Sequence, residues 1–389
     1  MMKMPKTPSL LLVVSLCLAA ATHAACSSDD ATPATPPTEK EAGVEASTPT
    51  DAGIDTGPFD SGTKRDCKAD VEADGLYKHL ECTGLYADFE KKTVADDAKP
   101  YKPALEFWSD AADKSRFLRL PAGGKIDISD FDEWTFPNGT RVWKEFRIGG
   151  KRIETRLYLK EKDSWRHTSY RWNDAETDAV RKDSGDTITF SGRPPYEMPN
   201  TGQCDVCHSG RREPLLGIDA VSLGLPGALG VTLASLAAEG KLSKTPPVTS
   251  FTLPENAGGK AAPALGWLHA NCGSCHNANP GAAAMFTLFR TLLRASDLAP
   301  PDGGAVTVEG LDAYKTAVNV TSSKQDEDAG VPYVRIVPGD PGKSLVAIMS
   351  GRRVAVNEQP NQTQMPPLVT RMVDTAGHKL LTDWISAIP

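Results

Sequence analysis

Two copies of the pattern Cys-x-x-Cys-His constrain this chain more than any other feature of its sequence. The first copy lies in "GQCDVCHSG" (202–210) and the second in "NCGSCHN" (271–277). Together they use four of the 8 cysteines in a chain of 389 residues. Repetition of the same closely spaced set of sulfur and imidazole groups indicates two sites with the same chemistry.

The spacing suits covalent attachment of haem c. Two residues between the thiols allow both sulfurs to form thioethers with the two vinyl groups of one haem, and the histidine that follows can bind the iron. The sequence therefore predicts two covalently attached haem c groups. The predicted attachment residues are Cys204, Cys207 and His208 for the first haem and Cys272, Cys275 and His276 for the second.

Three alternative roles for the motif cysteines stay open at this point. All four could bind one zinc ion, although that leaves both histidines without a role. One motif could be a thioredoxin-like redox pair, which requires a βαβ unit. Each pair could also form an internal disulfide bond.

The sixth iron ligands are less constrained by the sequence. Methionine is a soft ligand that raises the potential of a haem, whereas a vacant position admits a small molecule. Met365 in "QTQMPPLV" is the predicted ligand of the second iron, since it follows the second motif in a Pro-Pro loop. Met198 and His269 are the two candidates for the first iron, with a vacant or water-bound position as the alternative.

The N-terminus predicts an exported protein. Residues 1–25 read as a signal peptide, since Lys3 and Lys6 precede an apolar run (10–21) that is too short to span a membrane. Cys26 follows two alanines, which is typical of a lipoprotein signal. We therefore expect lipidation of Cys26 and a location in the periplasm or outer membrane, and simple cleavage with release into the periplasm is the alternative.

The next segment, 26–64, contains almost no large apolar residue, so we expect a disordered tether. Cys67 and Cys82 lie outside the repeated motifs, and in an oxidising compartment they are predicted to form a disulfide bond. The net charge of −7 gives no basic surface for nucleic acid, which we exclude as a partner.

Residues 65–200 are predicted to form a β-rich domain. "RVWKEFRI" and "KRIETRLYLK" flank Gly149-Gly150 and predict a hairpin, and "DTITF" (186–190) predicts another strand. We expect a β-sandwich-like arrangement. Asp110, Lys114 and Arg116 could line a site there, although charged residues beside a strand are more often solvated surface.

The composition then shifts towards alanine, glycine, leucine and proline with helical spacing. Residues 201–260 form the predicted first haem segment, with a short helix after Val231, and 261–389 the second, in which one helix enters the motif. Asp374 is the predicted N-cap of a closing helix. The predicted fold class is thus α+β, a β-sandwich-like domain followed by a mainly α-helical, cytochrome c-like region.

From Leu85 to Pro389 the chain resembles a family of exported bacterial di-haem c-type cytochromes, most of which have no assigned function. The resemblance rests on an ordered series of motifs: "FWSDAADKSRFLRLP", "WTFPNGTRVWKEF", "RIETRLYL", "RWNDAETDA", "YEMPNTGQCDVCH", "LHANCGSCH", "IVPGDPGKSL" and "MPP". It implies a β-rich segment before two haem segments, with Met365 at the "MPP" position. It does not support Met198 as a ligand, because the family carries another apolar residue there.

These observations predict electron transfer in the cell envelope, with redox proteins as partners and a lipid anchor on Cys26 as the link to the membrane. The chain is expected to be an electron carrier rather than a catalyst. Two alternatives stay open: a peroxidase-like or oxidase-like haem enzyme whose first haem is open, and a ligand-binding module with accessory haems.

Overall fold

The computed structural model describes residues 65–256, 258–325, 330–354 and 364–389. The predicted signal peptide, the lipid site at Cys26 and the tether lie outside these residues. All of the described residues belong to one compact unit. Within the described ranges, no helix is both long enough and apolar enough to cross a membrane.

The described residues form thirteen strands, most of them before residue 200. Their bounds are β1 Tyr86–Asp88, β2 Thr93–Val94, β3 Lys99–Lys102, β4 Asp113–Arg119, β5 Arg141–Ile148, β6 Lys151–Glu161, β7 Ser164–Trp172, β8 Ala179–Arg181, β9 Asp186–Ile188, β10 Tyr196–Met198, β11 Leu229–Gly230, β12 Thr321–Gln325 and β13 Pro332–Val334.

The α-helices in the same residues are short apart from two. Their bounds are α1 Thr201–His208, α2 Ala220–Gly224, α3 Leu233–Ala238, α4 Ala261–Cys272, α5 Ala295–Leu298, α6 Asp312–Lys315, α7 Leu345–Ser350 and α8 Thr375–Ala387. Single turns of 3₁₀-helix lie at Leu80–Thr83, Met285–Thr287 and Pro341–Lys343.

Seven strands form one antiparallel sheet in the order β11-β3-β4-β5-β6-β7-β8. β5 and β6 form the predicted hairpin, with Ile148 opposite Lys151 and Gly149-Gly150 at the turn. Both glycines have positive φ, the conformation that such a tight turn requires and that glycine adopts without strain. The hairpin prediction is confirmed.

The two faces of the sheet pack against different parts of the chain. Trp143, Leu157 and Tyr170 point to one face, where they pack against the N-terminal segment around Leu80. Val142 and Tyr158 point to the other face and join a larger core that extends to the C-terminal helix. Successive side chains on a strand alternate between faces, so this sheet divides two cores.

The N-terminal segment is closed by a disulfide bond between Cys67 and Cys82, as predicted. Leu76, Leu80 and Leu85 from this segment are buried on the sheet. The disulfide therefore lies on the face of the sheet that is remote from the motif segments.

The predicted fold class is wrong. Within the described ranges the protein is sheet-rich: 22% of these residues are helical, the 8 α-helices are mostly short, and the region after residue 200 is not mainly α-helical. Proline and glycine interrupt the helical spacing there; α5, for example, ends just before Pro300-Pro301. The β-sandwich is also wrong, because one seven-stranded sheet packs against other parts of the chain on both faces.

Three local predictions in this region are confirmed. α3 lies where a short helix was expected and ends before Gly240. α4 ends at Cys272 and thus enters the second motif. Asp374 caps α8 by accepting a hydrogen bond from the Gly377 amide at 2.9 Å.

Candidate functional site

The first motif lies on α1 at the end of the β-rich part of the chain. Asn200 caps this helix through a reciprocal pair of hydrogen bonds with Gln203, at 2.9 and 3.0 Å. Cys204 and Cys207 are three residues apart, and His208 is four residues after Cys204. This spacing places all three side chains on one side of the helix.

The His208 ring is held in one orientation. Its Nδ1 lies 2.6 Å from the Pro214 carbonyl oxygen, and its face stacks on Tyr158 with ring centroids 4.8 Å apart. A carbonyl only accepts, so Nδ1 carries the hydrogen and Nε2 keeps its lone pair. Burial lowers the pKa of His208 to about 3, so the ring is neutral at neutral pH. A neutral imidazole with its second nitrogen hydrogen-bonded is the form that binds metals.

The second motif continues directly from α4. The amides of Cys275 and His276 donate to the Cys272 carbonyl at 3.1 and 2.8 Å, which turns the chain tightly after the helix. His276 Nδ1 lies 3.4 Å from the Thr287 hydroxyl, and its ring meets the edge of Phe289. Burial, assisted by two nearby arginines, lowers the pKa of His276 to about 4. Neither His208 nor His276 makes a hydrogen bond through Nε2 to another described residue.

The two motif segments are in direct contact. Cys275 Sγ lies 3.6 Å from the Val206 carbonyl oxygen, and the nearby Cys275 thiol raises the pKa of Cys207 well above its usual value. Gly210 packs so tightly that a Cβ atom there would lie 1.7 Å from the Ser274 carbonyl oxygen. Only glycine fits at this contact, and the two predicted haem sites are therefore neighbours.

No family model, curated protein or solved structure matches this chain. The interpretation of the site thus depends on its own geometry.

The structure gives no support to the three alternative roles of the motif cysteines, which are a zinc site, a redox pair and internal disulfide bonds. All four thiols are free, so neither motif contains an internal disulfide bond. In the ranges that the structure describes, which include both motifs, no three His, Cys, Asp or Glu side chains are grouped as a metal site. The seven-stranded sheet is antiparallel and provides no βαβ unit for a thioredoxin-like pair. A c-type haem requires one protein imidazole at the iron and two thiols, which each motif supplies.

The methionine predicted as the sixth ligand of the second iron lies beside α7. The backbone amide of Met365 donates to the Met349 carbonyl at 2.9 Å, and the Met365 carbonyl accepts from Arg353. Neither of these bonds reaches the second motif. Met365 as a ligand stays a prediction.

Met198 and His269, the two candidate ligands of the first iron, both make other contacts in the structure. Met198 is 3% exposed and packs in a small apolar cluster with Phe146 and Tyr196. The Leu293 amide donates to His269 Nδ1 at 3.0 Å, and His269 Nε2 lies 3.4 Å from the Ser222 hydroxyl. Both ring nitrogens of His269 are therefore in use in this arrangement.

Glu133 connects the two motif segments, a role that no sequence pattern indicated. Its carboxylate accepts from the Arg212 amide at 3.2 Å and from the Asn279 amide group at 2.9 Å, and it pairs with Arg211 and Arg294. Burial alone would raise the pKa of Glu133, but the neighbouring arginines and hydrogen bonds hold the pKa below its usual value.

Three further residues that hold the site were also missed. Pro214 and Thr287 orient the two histidines, and Tyr158 supports the first from the sheet. The Tyr158 hydroxyl is buried without a hydrogen-bond partner among the described residues, next to the first motif. Pro214 follows His208 closely in the sequence and could have been found from that spacing, whereas Tyr158 and Glu133 are remote in the chain.

Proposed function

We propose that this protein is a di-haem c-type cytochrome that carries electrons between proteins of the cell envelope. The observation that carries the proposal is the direct packing of two Cys-x-x-Cys-His segments, each with its histidine oriented through Nδ1. Four free thiols and two neutral imidazoles fit the attachment chemistry of haem c.

Each motif residue has a defined task in this proposal. The thiols of each motif would hold one haem as thioethers, and His208 and His276 would bind iron through Nε2. Pro214 and Thr287 keep the two rings in place by their contacts at Nδ1. A bound haem supplies reversible one-electron chemistry at iron. Met365 is the proposed sixth ligand of the second iron.

The contact between the motifs supports electron exchange within the molecule. Cys275 Sγ lies 3.6 Å from the backbone carbonyl of Val206, the residue before Cys207, so the attachment edges of the two haems would be adjacent. An electron could then enter at one haem and leave at the other without a substrate site. Export, lipidation at Cys26 and redox proteins as partners belong to the same proposal.

The proposal is tested by removing the thiols of one motif at a time. Cys204→Ala/Cys207→Ala and Cys272→Ala/Cys275→Ala are expressed in a host that matures c-type cytochromes. We expect two haems per chain in the unaltered protein and one in each variant, measured by intact mass and by a pyridine haemochrome assay. His208→Ala and His276→Ala should each change the optical spectrum of one haem.

A matched control is available in the same chain. Cys67→Ser/Cys82→Ser also removes two cysteines, but these lie on the other side of the sheet, so both haems should remain. A mature protein without added porphyrin mass, or a haem content that neither motif variant changes, would overturn the proposal.

Two observations favour a second candidate, a haem enzyme with an open first haem. Met198 and both nitrogens of His269 are engaged elsewhere, and the buried Tyr158 hydroxyl beside the first motif lacks a partner among the described residues. The spectrum of the oxidised protein separates the two functions. Wholly low-spin iron supports electron transfer alone, and a high-spin fraction that binds cyanide supports catalysis.

A further inference from the structure

Three cationic side chains lie next to one another across the middle of the sheet. Arg116 on β4 is directly opposite Lys144 on β5, and Lys144 is directly opposite Arg156 on β6. They share the sheet face that carries Val142 and Tyr158 and that packs against the motif segments. Like charges in directly opposite positions destabilise a sheet, so each cation of this row needs a compensating negative group.

Two of the three cations already have carboxylate partners. Arg156 forms a two-bond pair with Glu154 at 2.6 and 2.9 Å, and Arg116 binds Glu106 at 2.8 Å. The Lys144 amine makes no hydrogen bond or ion pair with any described residue, and it lies 5.1 Å from the centre of the Phe146 ring. The central side chain of the row therefore has no carboxylate partner, and burial, together with nearby Arg116 and Lys114, lowers the pKa of Lys144 well below its usual value.

Lys144 and Arg116 line a cavity with a volume of about 40 Å³. One water molecule needs roughly 10–15 Å³ by this kind of measure, so the space holds about three waters. A carboxylate group or a small oxyanion fits into this volume, whereas a macrocycle does not.

The cavity lies between the two motif segments. Leu215 and Leu216 in its wall follow the Pro214 that orients His208, and Ser274 in its wall belongs to the second motif. Asp219 also lines the cavity, but its carboxylate is paired with Arg211 at 3.2 Å and with Ser222. The wall therefore contains no free carboxylate that could pair with Lys144.

We propose that Lys144 and Arg116 form a binding site for a carboxylate or a small oxyanion in this cavity. An anion there would accept charge-assisted hydrogen bonds from both side chains and would relieve the repulsion within the row. The anion has two possible sources, a propionate of an attached haem or a free anion such as phosphate. Only the first source depends on the proposed function.

The test compares Lys144→Gln with Lys144→Arg, which keeps the charge, and with Lys151→Gln, an exposed lysine at the start of β6. The haem-loaded protein is measured in two ways. Thermal unfolding is followed as phosphate is added, and the midpoint potential of each haem is determined at fixed pH. Lys144→Met is a second neutral variant in case the glutamine variant does not fold.

The two sources give different results. If the site takes a free anion, phosphate should raise the melting temperature of the unaltered protein saturably, as expected for a ligand of the folded state, and should not do so in Lys144→Gln. If a propionate fills the site, phosphate has no effect and Lys144→Gln lowers the potential of one haem, because a nearby cation stabilises the reduced state. Lys144→Arg should behave as the unaltered protein in both cases.

The site proposal is overturned if Lys144→Gln and Lys151→Gln give the same results in both measurements. Failure of the haem proposal is recognised separately, by the absence of porphyrin mass. In that case the phosphate titration on the same chain still decides the question: a saturable stabilisation that Lys144→Gln abolishes supports the site, and no stabilisation overturns it.

Discussion

Among individual residues, Glu133 has the widest influence on the candidate site. It lies between β4 and β5, and its carboxylate binds Arg211 and Arg212 after the first motif and Asn279 after the second. Asn279 also donates to the Gly210 carbonyl at 2.9 Å. One buried carboxylate therefore fixes both motif segments relative to the sheet.

Glu133→Gln should destabilise the protein by about 1–3 kcal/mol, because it removes hydrogen bonds to charged groups at a buried position. The pKa of Glu133 is lower in the folded than in the unfolded chain. The stabilisation that Glu133 provides is therefore complete above its unfolded-state pKa near 4.5. It is lost as the pH falls through the lower pKa of the folded state. Thermal unfolding from pH 7 to pH 3 measures this dependence.

In the variant, the difference in melting temperature from the unaltered protein should shrink as the pH falls below 4.5. Glu239→Gln serves as a control, since this glutamate is exposed and ends α3 away from the motifs. An equal loss of stability at pH 7 and pH 3 would contradict the assigned role of Glu133.

The sequence predicted those single residues whose chemistry is local. The motif cysteines are recognised by their spacing, Asp374 by its position before a helix, and Cys67 and Cys82 by the lack of any other partner. Glu133 and Tyr158 were missed because their partners are far away in the chain. A carboxylate in a loop has the same sequence signature whether it faces solvent or joins two motifs.

At the scale of elements, α4 and α8 pack so closely that a glycine is required inside α8, although glycine disfavours a helix. The Asp374 carboxylate caps α8 and also accepts from the Trp267 indole of α4 at 2.8 Å. Gly377 lies under this indole, and a Cβ atom there would come within 1.8 Å of Trp267 Nε1. The helix that carries the second motif thus rests on a glycine of the last helix.

Gly377→Ala should destabilise the protein by about 1–3 kcal/mol through overpacking, although alanine favours a helix over glycine by about 1 kcal/mol. Gly202→Ala in α1 is the matched control, since the nearest atom to its Cβ would be at an ordinary 3.5 Å. The free energy of unfolding in urea measures both. A Gly377→Ala variant as stable as Gly202→Ala would contradict the packing described here.

Elements with strong local signals were predicted well. Alternation around Gly149-Gly150 predicted β5 and β6, and the capping pattern predicted α8. The alanine and leucine spacing after residue 200 predicts more helix than the structure contains, because prolines and glycines between these residues interrupt the helices. The partners of the sheet faces were not predictable, since alternation indicates a buried face without indicating what covers it.

At the scale of the whole molecule, the sheet separates a disulfide-closed segment from the motif segments. Cys67→Ser/Cys82→Ser should lower the stability by about 3 kcal/mol, the loop-entropy expectation for residues 15 apart in sequence. The optical spectra of the proposed haems should not change, because the packing of Leu76 and Leu80 lies on the remote face. Urea unfolding and optical spectra of the same samples test both statements, and altered haem spectra would show that the two sides are coupled.

The sheet is completed by a strand from far along the chain. β11 pairs with β3 through Leu229 and Gly230, with Gly230 opposite Tyr101. A fragment that ends at residue 200 therefore lacks one strand of its own sheet. Such a fragment would expose the free edge of β3, whose backbone groups could pair with strands of other molecules. It would also lack the residues of α4 and α8 that belong to the same core as Val142 and Tyr158 of the sheet. By pairing with β3, strand β11 thus also protects this edge of the sheet from aggregation.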